Sequence, residues 1–216
     1  MKITLKRINA LSADFGKIRQ LYNTAFPADE RAPMWLLAVK AYKKSVDFWS
    51  LYRDEKWFGM AYVLNEDDLS YLFYFAVSES ERGKGLGSAA LRSLKKKYEG
   101  RRLFLALEQL DAGSDNYPER LKRRNFYLKN GLEPINRTIR ECKVVYDVMG
   151  VGGDVLPLEY EKMMRNYLGF PLRGMVSMNI KEKNVPHRTT AASGSCEFCC
   201  AKHRETRKKF LSEEDI

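Results

Sequence analysis

Apolar residues recur along this chain at two spacings, which indicate where strands and helices lie. Alternating or continuous apolar runs predict strands over residues 3–8, 46–53, 58–64, 69–77, 103–108, 137–146 and 176–180. Apolar residues spaced three and four apart predict helices over residues 14–26, 34–43, 88–98, 118–129 and 157–167. A doubly wound sheet alternates strand and helix from its start, and this order does not. We therefore predict the α/β (α+β) class, with a mixed, largely antiparallel central sheet flanked by helices.

A basic, glycine-rich loop joins the strand over 69–77 to the helix that follows it. After a short acidic turn, Arg82-Gly83-Lys84-Gly85-Leu86-Gly87-Ser88 opens directly into that helix. Glycines allow a ligand to approach the backbone closely, and the first N–H groups of a helix have no partner within the helix. Arg82 and Lys84 add positive charge. This arrangement predicts a binding site for a phosphate or pyrophosphate group.

Two common phosphate-binding patterns fit this loop only in part. A P-loop ends in Gly-Lys-Ser/Thr, but here Lys84 lies between glycines. The dinucleotide pattern G-x-G-x-x-G is met by Gly83 and Gly85 and fails at Ser88. Glu108 lies about twenty residues further on, where that pattern has its ribose-binding acid. The dinucleotide interpretation therefore stays open.

A third pattern, Arg/Gln-x-x-Gly-x-Gly/Ala, is filled completely by Arg82, Gly85 and Gly87. It resembles the acetyl-coenzyme A loop of the GNAT superfamily of N-acetyltransferases. Downstream, Phe126-Tyr127-Leu128-Lys129-Asn130-Gly131-Leu132 resembles the F/Y-Y-x-x-x-G-F/L signature of the same family. The order of elements matches the family over roughly residues 1–145. The resemblance implies a GNAT-like acyl-CoA N-acyltransferase fold.

The resemblance also implies an activity. An N-acetyltransferase of this family moves an acetyl group from acetyl-CoA, its cosubstrate, to a primary amine by direct attack in a ternary complex. The amine here would belong to an unidentified small molecule or protein. Two other classes stay open. One is a non-catalytic acyl-CoA-binding sensor or adaptor, and the other is a dinucleotide-binding oxidoreductase that uses residues 83–87 and Glu108.

The resemblance also implies roles at the site for individual residues of this sequence. Tyr127 matches the residue that protonates the departing thiolate, and Glu108 is the candidate base, acting through a water molecule. Asp111 and Asp115 are nearby substitutes for Glu108. If these two residues have structural roles instead of catalytic ones, Glu108 pairs with an arginine and Tyr127 packs in the core. The expected cofactor-binding residues are Phe75, Ala76, Val77, Arg82, Gly83, Lys84, Gly85, Leu86, Gly87, Ser88 and Asn116.

Charge and composition narrow the range of partners. The 216 residues carry 38 Lys+Arg against 28 Asp+Glu, a formal net charge of +10. The basic runs are typical of exposed helix faces, so we expect no specific nucleic-acid partner. No apolar run reaches the roughly eighteen residues that a membrane span needs, and the N-terminus lacks the apolar core of a signal peptide. We predict a cytoplasmic protein without a membrane partner, either a monomer or a homodimer.

The sequence divides into three parts. We predict a GNAT acetyltransferase domain over 1–147, a C-terminal extension over 148–188 that packs on it, and a flexible Cys/Lys-rich tail over 189–216. The tail carries Cys196, Cys199, Cys200 and His203, a ligand set that tetrahedral zinc accepts. Structural zinc sites usually take ligand pairs from two separate knuckles. We therefore expect free cysteines and no bound metal.

Overall fold

The computed structural model describes residues 2–28, 30–141, 144–169 and 178–182. The described strands are β1 (Ile3–Arg7), β2 (Val46–Arg53), β3 (Lys56–Glu66), β4 (Leu69–Val77), β5 (Arg102–Glu108), β6 (Glu133–Glu141), β7 (Val144–Val151) and β8 (Met178–Glu182). The described helices are α1 (Phe15–Ala25), α2 (Met34–Lys40), α3 (Leu86–Lys97), α4 (Tyr117–Lys129) and α5 (Pro157–Leu168). A short 3₁₀ helix, Glu79–Glu81, precedes α3. The strands predicted over 46–53 and 69–77 are confirmed to the residue.

The described strands form one sheet in the order β1-β2-β3-β4-β5-β7-β6-β8. Neighbouring strands run antiparallel, except that β4 and β5 run parallel. Helices α1, α2 and α5 bury side chains against one face of the sheet, and α3 and α4 bury side chains against the other. The predicted class, a mixed and largely antiparallel sheet flanked by helices, is confirmed.

Strands β4 and β5 pair at one end and then separate. Their register joins Leu69 to Arg102, Ser70 to Leu103 and Tyr71 to Phe104. Both strands continue beyond that point, β4 to Val77 and β5 to Glu108. A wedge-shaped gap therefore opens between their carboxyl ends. A crevice beside the carboxyl ends of parallel strands is a common place for ligands to bind.

Aromatic side chains pack around the closed end of this gap. The ring of Tyr71 stacks on Phe104 with ring centroids 4.5 Å apart. Tyr22 of α1 meets Tyr74 edge to face at 4.9 Å. On the other face of the sheet, α3 buries the apolar residues that its helical spacing predicts, which are Ala90, Leu91 and Leu94. Close packing of large rings limits movement of the walls of the gap.

The strand predicted over 137–146 is wrong. Strand β6 ends at Glu141 and β7 begins at Val144, and the two strands pair antiparallel. The chain therefore reverses direction between Glu141 and Val144, and residues 142–143 lie outside the described residues. The sequence Glu141-Cys142-Lys143-Val144 contains no Gly, Pro, Asn or Asp, the residues that usually mark a turn. Strand β7 continues to Val151, so the sheet extends past residue 147; the division into domains stays a prediction.

Helix α5 joins the C-terminal part of the described chain to the core. Its Tyr160 and Met163 are buried in the same apolar cluster as Tyr71 and Phe104 of β4 and β5. Strand β8 pairs with β6 at the edge of the sheet. None of the described helices is both long and apolar enough to cross a bilayer. The tail predicted over 189–216 lies outside the described residues.

Gly59 lies on β3 opposite Val77, the last residue of β4. A Cβ atom at this position would lie 2.4 Å from the backbone oxygen of Ala76. We expect Gly59→Ala to lower the free energy of unfolding by about 1–3 kcal/mol, because the backbone must shift to relieve the overlap. Denaturant unfolding measures this loss. Gly16→Ala in α1 is the control, since nothing lies within 4 Å of its added Cβ; equal stability of the two variants would contradict the prediction.

Candidate functional site

A cavity of about 600 Å³ occupies the gap between β4 and β5. The loop before α3 lines one end, and the segment between α1 and α2 and the ends of β6 and β7 line the other. Most of the residues predicted from the sequence meet here. Those that line the cavity are Phe75, Ala76, Val77, Arg82, Gly83, Gly85, Leu86, Gly87, Ser88, Glu108 and Tyr127. The structure thus brings the predicted loop, strand and helix residues into one space.

The loop has the backbone conformation that its glycines predict. Gly83 and Gly85 have φ angles of +76° and +74°, a left-handed region that other residues rarely adopt. Gly85 caps α3, and the first hydrogen bond of the helix runs from the N–H of Ala89 to the Gly85 carbonyl. The N–H groups of residues 86–88 therefore have no acceptor within the helix, and these three residues line the cavity. Such N–H groups, at the positive end of a helix dipole, attract an anion.

The two basic residues of the loop differ in their surroundings. Arg82 lines the cavity, and its Nε donates a hydrogen bond of 3.2 Å to the carbonyl of Val77. Lys84 is not among the lining residues, and its Nζ lies 3.2 Å from Oε2 of Glu81. Lys56 lies 2.6 Å from Oε1 of the same carboxylate. The hydrogen bond from Lys56 and the nearby ammonium group of Lys84 lower the pKa of Glu81, which is only 3% exposed.

The first turn of α3 packs closely against neighbouring elements. A Cβ atom added to Gly87 would lie 3.4 Å from the ring of Phe126 on α4 and 3.7 Å from the side chain of Val77 on β4. This packing fixes the N-terminus of α3 beside the carboxyl end of β4. The predicted anion site and the predicted cofactor-binding residues of β4, 75–77, are consequently adjacent parts of one cavity wall.

Tyr127 is buried on α4 and lines the cavity. The described residues provide no hydrogen-bond partner for its hydroxyl group. Burial raises the pKa of Tyr127 to about 12, although the nearby charge of Arg123 acts in the opposite direction. The phenol therefore keeps its proton at neutral pH. A buried, protonated hydroxyl group with no partner beside a cavity is available to donate a hydrogen bond or a proton to a ligand.

Glu108 lines the cavity but is held by side chains of α4. Its Oε2 accepts a hydrogen bond of 2.5 Å from Arg123, and its Oε1 lies 3.3 Å from Nε of Arg120. Asn116 donates to the same Oε1 at 3.2 Å and accepts a hydrogen bond of 2.7 Å from Arg120. Asn116 is not among the residues that line the cavity. The structure thus shows the arginine pairing that the sequence left open as an alternative for Glu108.

No group of three or more His, Cys, Asp or Glu within the described ranges is arranged to hold a metal ion. The residues weighed for zinc, Cys196, Cys199, Cys200 and His203, lie outside those ranges.

The family comparison decides how the loop should be interpreted. The model of the GNAT acetyltransferase family matches residues 15–131, which include the loop, the β4–β5 gap and Tyr127. The chain belongs to the GNAT family. It is therefore an acyltransferase enzyme, and the family assignment removes the support for a dinucleotide-binding oxidoreductase.

Solved GNAT structures share the fold at low sequence identity. A putative GNAT acetyltransferase from Bacteroides thetaiotaomicron is 17% identical with a TM-score of 0.58, over 78% of this chain and 96% of that one. The ribosomal-protein-S18-alanine N-acetyltransferase of Escherichia coli is 18% identical with a TM-score of 0.53, over 72% and 96%. An aminoglycoside 6'-N-acetyltransferase complexed with coenzyme A is 14% identical with a TM-score of 0.52, over 69% and 96%. No curated protein matches the sequence.

Reasoning from the sequence did not identify Tyr74, Glu141 and Tyr146, which line the end of the cavity farthest from the glycine-rich loop. Glu30 lines the same end, and Glu141 and Tyr146 belong to the β6–β7 hairpin. One feature of β6 could have indicated Glu141. Ile139 is fully buried and lies two positions before Glu141 on β6, so both residues share the inward face of the strand. The prediction of one strand over 137–146 hid this relation.

Proposed function

We propose that this GNAT protein transfers an acetyl group from acetyl-CoA to a primary amine of a small molecule or protein, by direct attack in a ternary complex. One observation carries the proposal. A single cavity connects the anion-binding N-terminus of α3 to the β4–β5 gap and to the hydroxyl group of Tyr127. A cofactor that has a pyrophosphate at one end and a thioester at the other fits this layout.

The cofactor's pyrophosphate lies at residues 82–88 in this proposal. The N–H groups of Leu86, Gly87 and Ser88 and the guanidinium of Arg82 bind its oxygens. Lys84 contributes charge nearby while it remains paired with Glu81. The pantetheine arm lies along 75–77, beyond the described pairing of β4 with β5, which ends at Tyr71. Binding of this arm by Asn116 stays a prediction, since its amide already bonds to Glu108 and Arg120.

Chemical transfer needs a group that stabilises the thioester oxygen and a proton for the departing thiolate. A backbone N–H near Val77 stabilises the oxygen, because a fixed dipole needs no reorganisation as charge develops. Tyr127 gives the thiolate its proton. Its raised pKa keeps that proton in place until a strong base, the thiolate, forms beside it.

The attacking amine must be neutral, and Glu108 is the predicted base. Support for this role comes from its position at the end of β5 on the cavity wall. Its ion pairs with Arg120 and Arg123 occupy lone pairs that would otherwise accept a proton. Glu108 would therefore act through a water molecule. Asp111 and Asp115 remain the substitutes predicted nearby.

Coenzyme A should stabilise the folded protein, and NAD should not. A ligand at a hundred times its Kd raises the free energy of unfolding by about 2.7 kcal/mol. Thermal melts with each compound measure the difference. A shift with NAD and none with coenzyme A would contradict the proposal. A shift with coenzyme A but no transfer to a broad library of amines would instead support the sensor or adaptor class.

Cellular location and assembly stay predictions from the sequence. We propose a cytoplasmic enzyme that acts as a monomer or homodimer without a nucleic-acid or membrane partner. The positive formal net charge supports solubility and attraction of the polyanionic cofactor.

A further inference from the structure

The far end of the cavity has a different chemical character from the loop end. Its wall carries the carboxylates of Glu30 and Glu141 and the aromatic rings of Phe26, Tyr74 and Tyr146. Phe26 and Tyr74 meet edge to face with ring centroids 5.0 Å apart. No lysine lines the cavity, and its arginines are Arg82 and Arg123, among the described residues. Both arginines belong to the parts of the site already described.

Glu141 differs in its partners from Glu81 and Glu108, two other acidic residues of the cavity wall. Glu81 pairs with two lysines, and Glu108 pairs with two arginines. Glu141 accepts hydrogen bonds from the hydroxyl groups of Tyr71 at 2.9 Å and Tyr160 at 3.1 Å. The described residues contain no cation paired with it. Within the part of the chain that the structure describes, a carboxyl group without a positive partner therefore lies beside the cavity.

The two tyrosines hold Glu141 in a fixed position. Both hydrogen bonds end on Oε1, so neither uses Oε2. Tyr71 is 2% exposed and Tyr160 is fully buried, and Tyr71 stacks on Phe104. Hydroxyl donors stabilise a carboxylate without neutralising its charge. Such a carboxylate is ready to bind a cation through its second oxygen, with little side-chain ordering left to lose.

Electrostatic effects at this end of the cavity act together. Burial raises the pKa of Glu141, because desolvation penalises its charged form. Burial also raises the pKa of Tyr74 and of Tyr146, and the charges of Glu30 and Glu141 add to both shifts. Glu141, Tyr74 and Tyr146 all line the same cavity. A positive ligand there would offset the charge of Glu141 and would also face the aromatic rings.

We propose that the acceptor is an aliphatic amine with at least two amino groups, and that Glu141 binds one of them as an ammonium ion at the far end of the cavity while another, in its neutral form, attacks the thioester. This inference rests on the proposed function and adds the substrate class. The rings of Tyr74 and Tyr146 enclose the same group. A neutral or acidic acceptor would leave the charge of Glu141 uncompensated, so the subsite selects against both.

Calorimetric titration with 1,5-diaminopentane tests the subsite directly, and 1,5-pentanediol is the uncharged probe of similar length. Both compounds are titrated into the full-length protein with and without coenzyme A. We expect the diamine to bind and the diol not to bind. Glu141→Gln should weaken diamine binding by about tenfold to a hundredfold, the range for hydrogen bonds to charged groups. Glu141→Asp, which keeps the charge, should retain part of the affinity.

The controls separate a local effect from unfolding. Glutamine at 141 can still accept both tyrosine hydrogen bonds, so Glu141→Gln should keep the thermal shift that coenzyme A gives the wild type. Glu133→Gln removes an exposed carboxylate from the same strand and should bind the diamine like wild type. Equal diamine affinity in wild type and Glu141→Gln overturns the subsite. So does a wild-type protein that responds to coenzyme A but not to the diamine. Loss of the coenzyme A response itself would instead refute the proposed function.

Discussion

Gly85→Val should weaken binding of acetyl-CoA by at least about a hundredfold. The valine side chain would project where the pyrophosphate meets the N-terminus of α3, and it would block the N–H groups of residues 86–88 from the ligand. Each hydrogen bond to a charged group contributes about 1.5–3 kcal/mol, so the loss of two is enough for this effect. Calorimetric titration with acetyl-CoA measures the change. Removing the charge of Arg82 should weaken binding less, since the backbone donors remain.

Gly100→Val provides a matched control for this experiment. Gly85 and Gly100 have φ angles of +74° and +81°, and an added Cβ meets nothing within 4 Å at either position. Valine therefore strains the backbone alike at both sites. Gly100 is not among the residues that line the cavity. We expect similar losses of stability, but loss of acetyl-CoA binding only in Gly85→Val. If Gly85→Val binds the cofactor as tightly as Gly100→Val does, the assignment of the loop is wrong.

Tyr127→Phe should lower turnover by about a hundredfold or more and leave affinity for acetyl-CoA unchanged, because it removes only the proton donor. The ring keeps its packing, and the lost hydroxyl group has no hydrogen-bond partner among the described residues. The pKa of Tyr127, raised to about 12, means that the neutral donor form persists at every pH below that value. The wild-type rate should therefore show no loss from deprotonation of this tyrosine near neutral pH.

Tyr117→Phe removes a hydroxyl group from the same helix and serves as the control. Tyr117 is partly buried and is not among the residues that line the cavity. Rates are compared with whichever amine the acceptor screen identifies, together with cofactor affinity for each variant. A Tyr127→Phe rate equal to that of Tyr117→Phe would assign Tyr127 to packing. A slow rate with a weakened cofactor would instead indicate a binding role.

The parts of the site that lie on continuous segments could be predicted from the sequence. Strand β4, the loop and the start of α3 are adjacent in the chain, and their order alone defines an anion site. The helical spacing of α3 and the alternation of the strands likewise specify which residues face the core. Turn residues usually mark where strands end, and the β6–β7 reversal was missed because Glu141-Cys142-Lys143-Val144 contains none of them.

Only the tertiary structure decided which charges meet. Lys84 pairs with Glu81, and so does Lys56, which lies 25 positions before Glu81. Glu108 is held by two arginines of α4, and Glu141 receives hydroxyl donors from β4 and α5. The local sequence pattern cannot predict such contacts, because ion pairs and burial depend on how elements distant in the chain pack together. The sequence by itself determined the glycine-rich loop, the family and the mixed, largely antiparallel class of the sheet. The extent of β4–β5 pairing, and with it the cavity and its acidic far end, followed from packing of the whole chain.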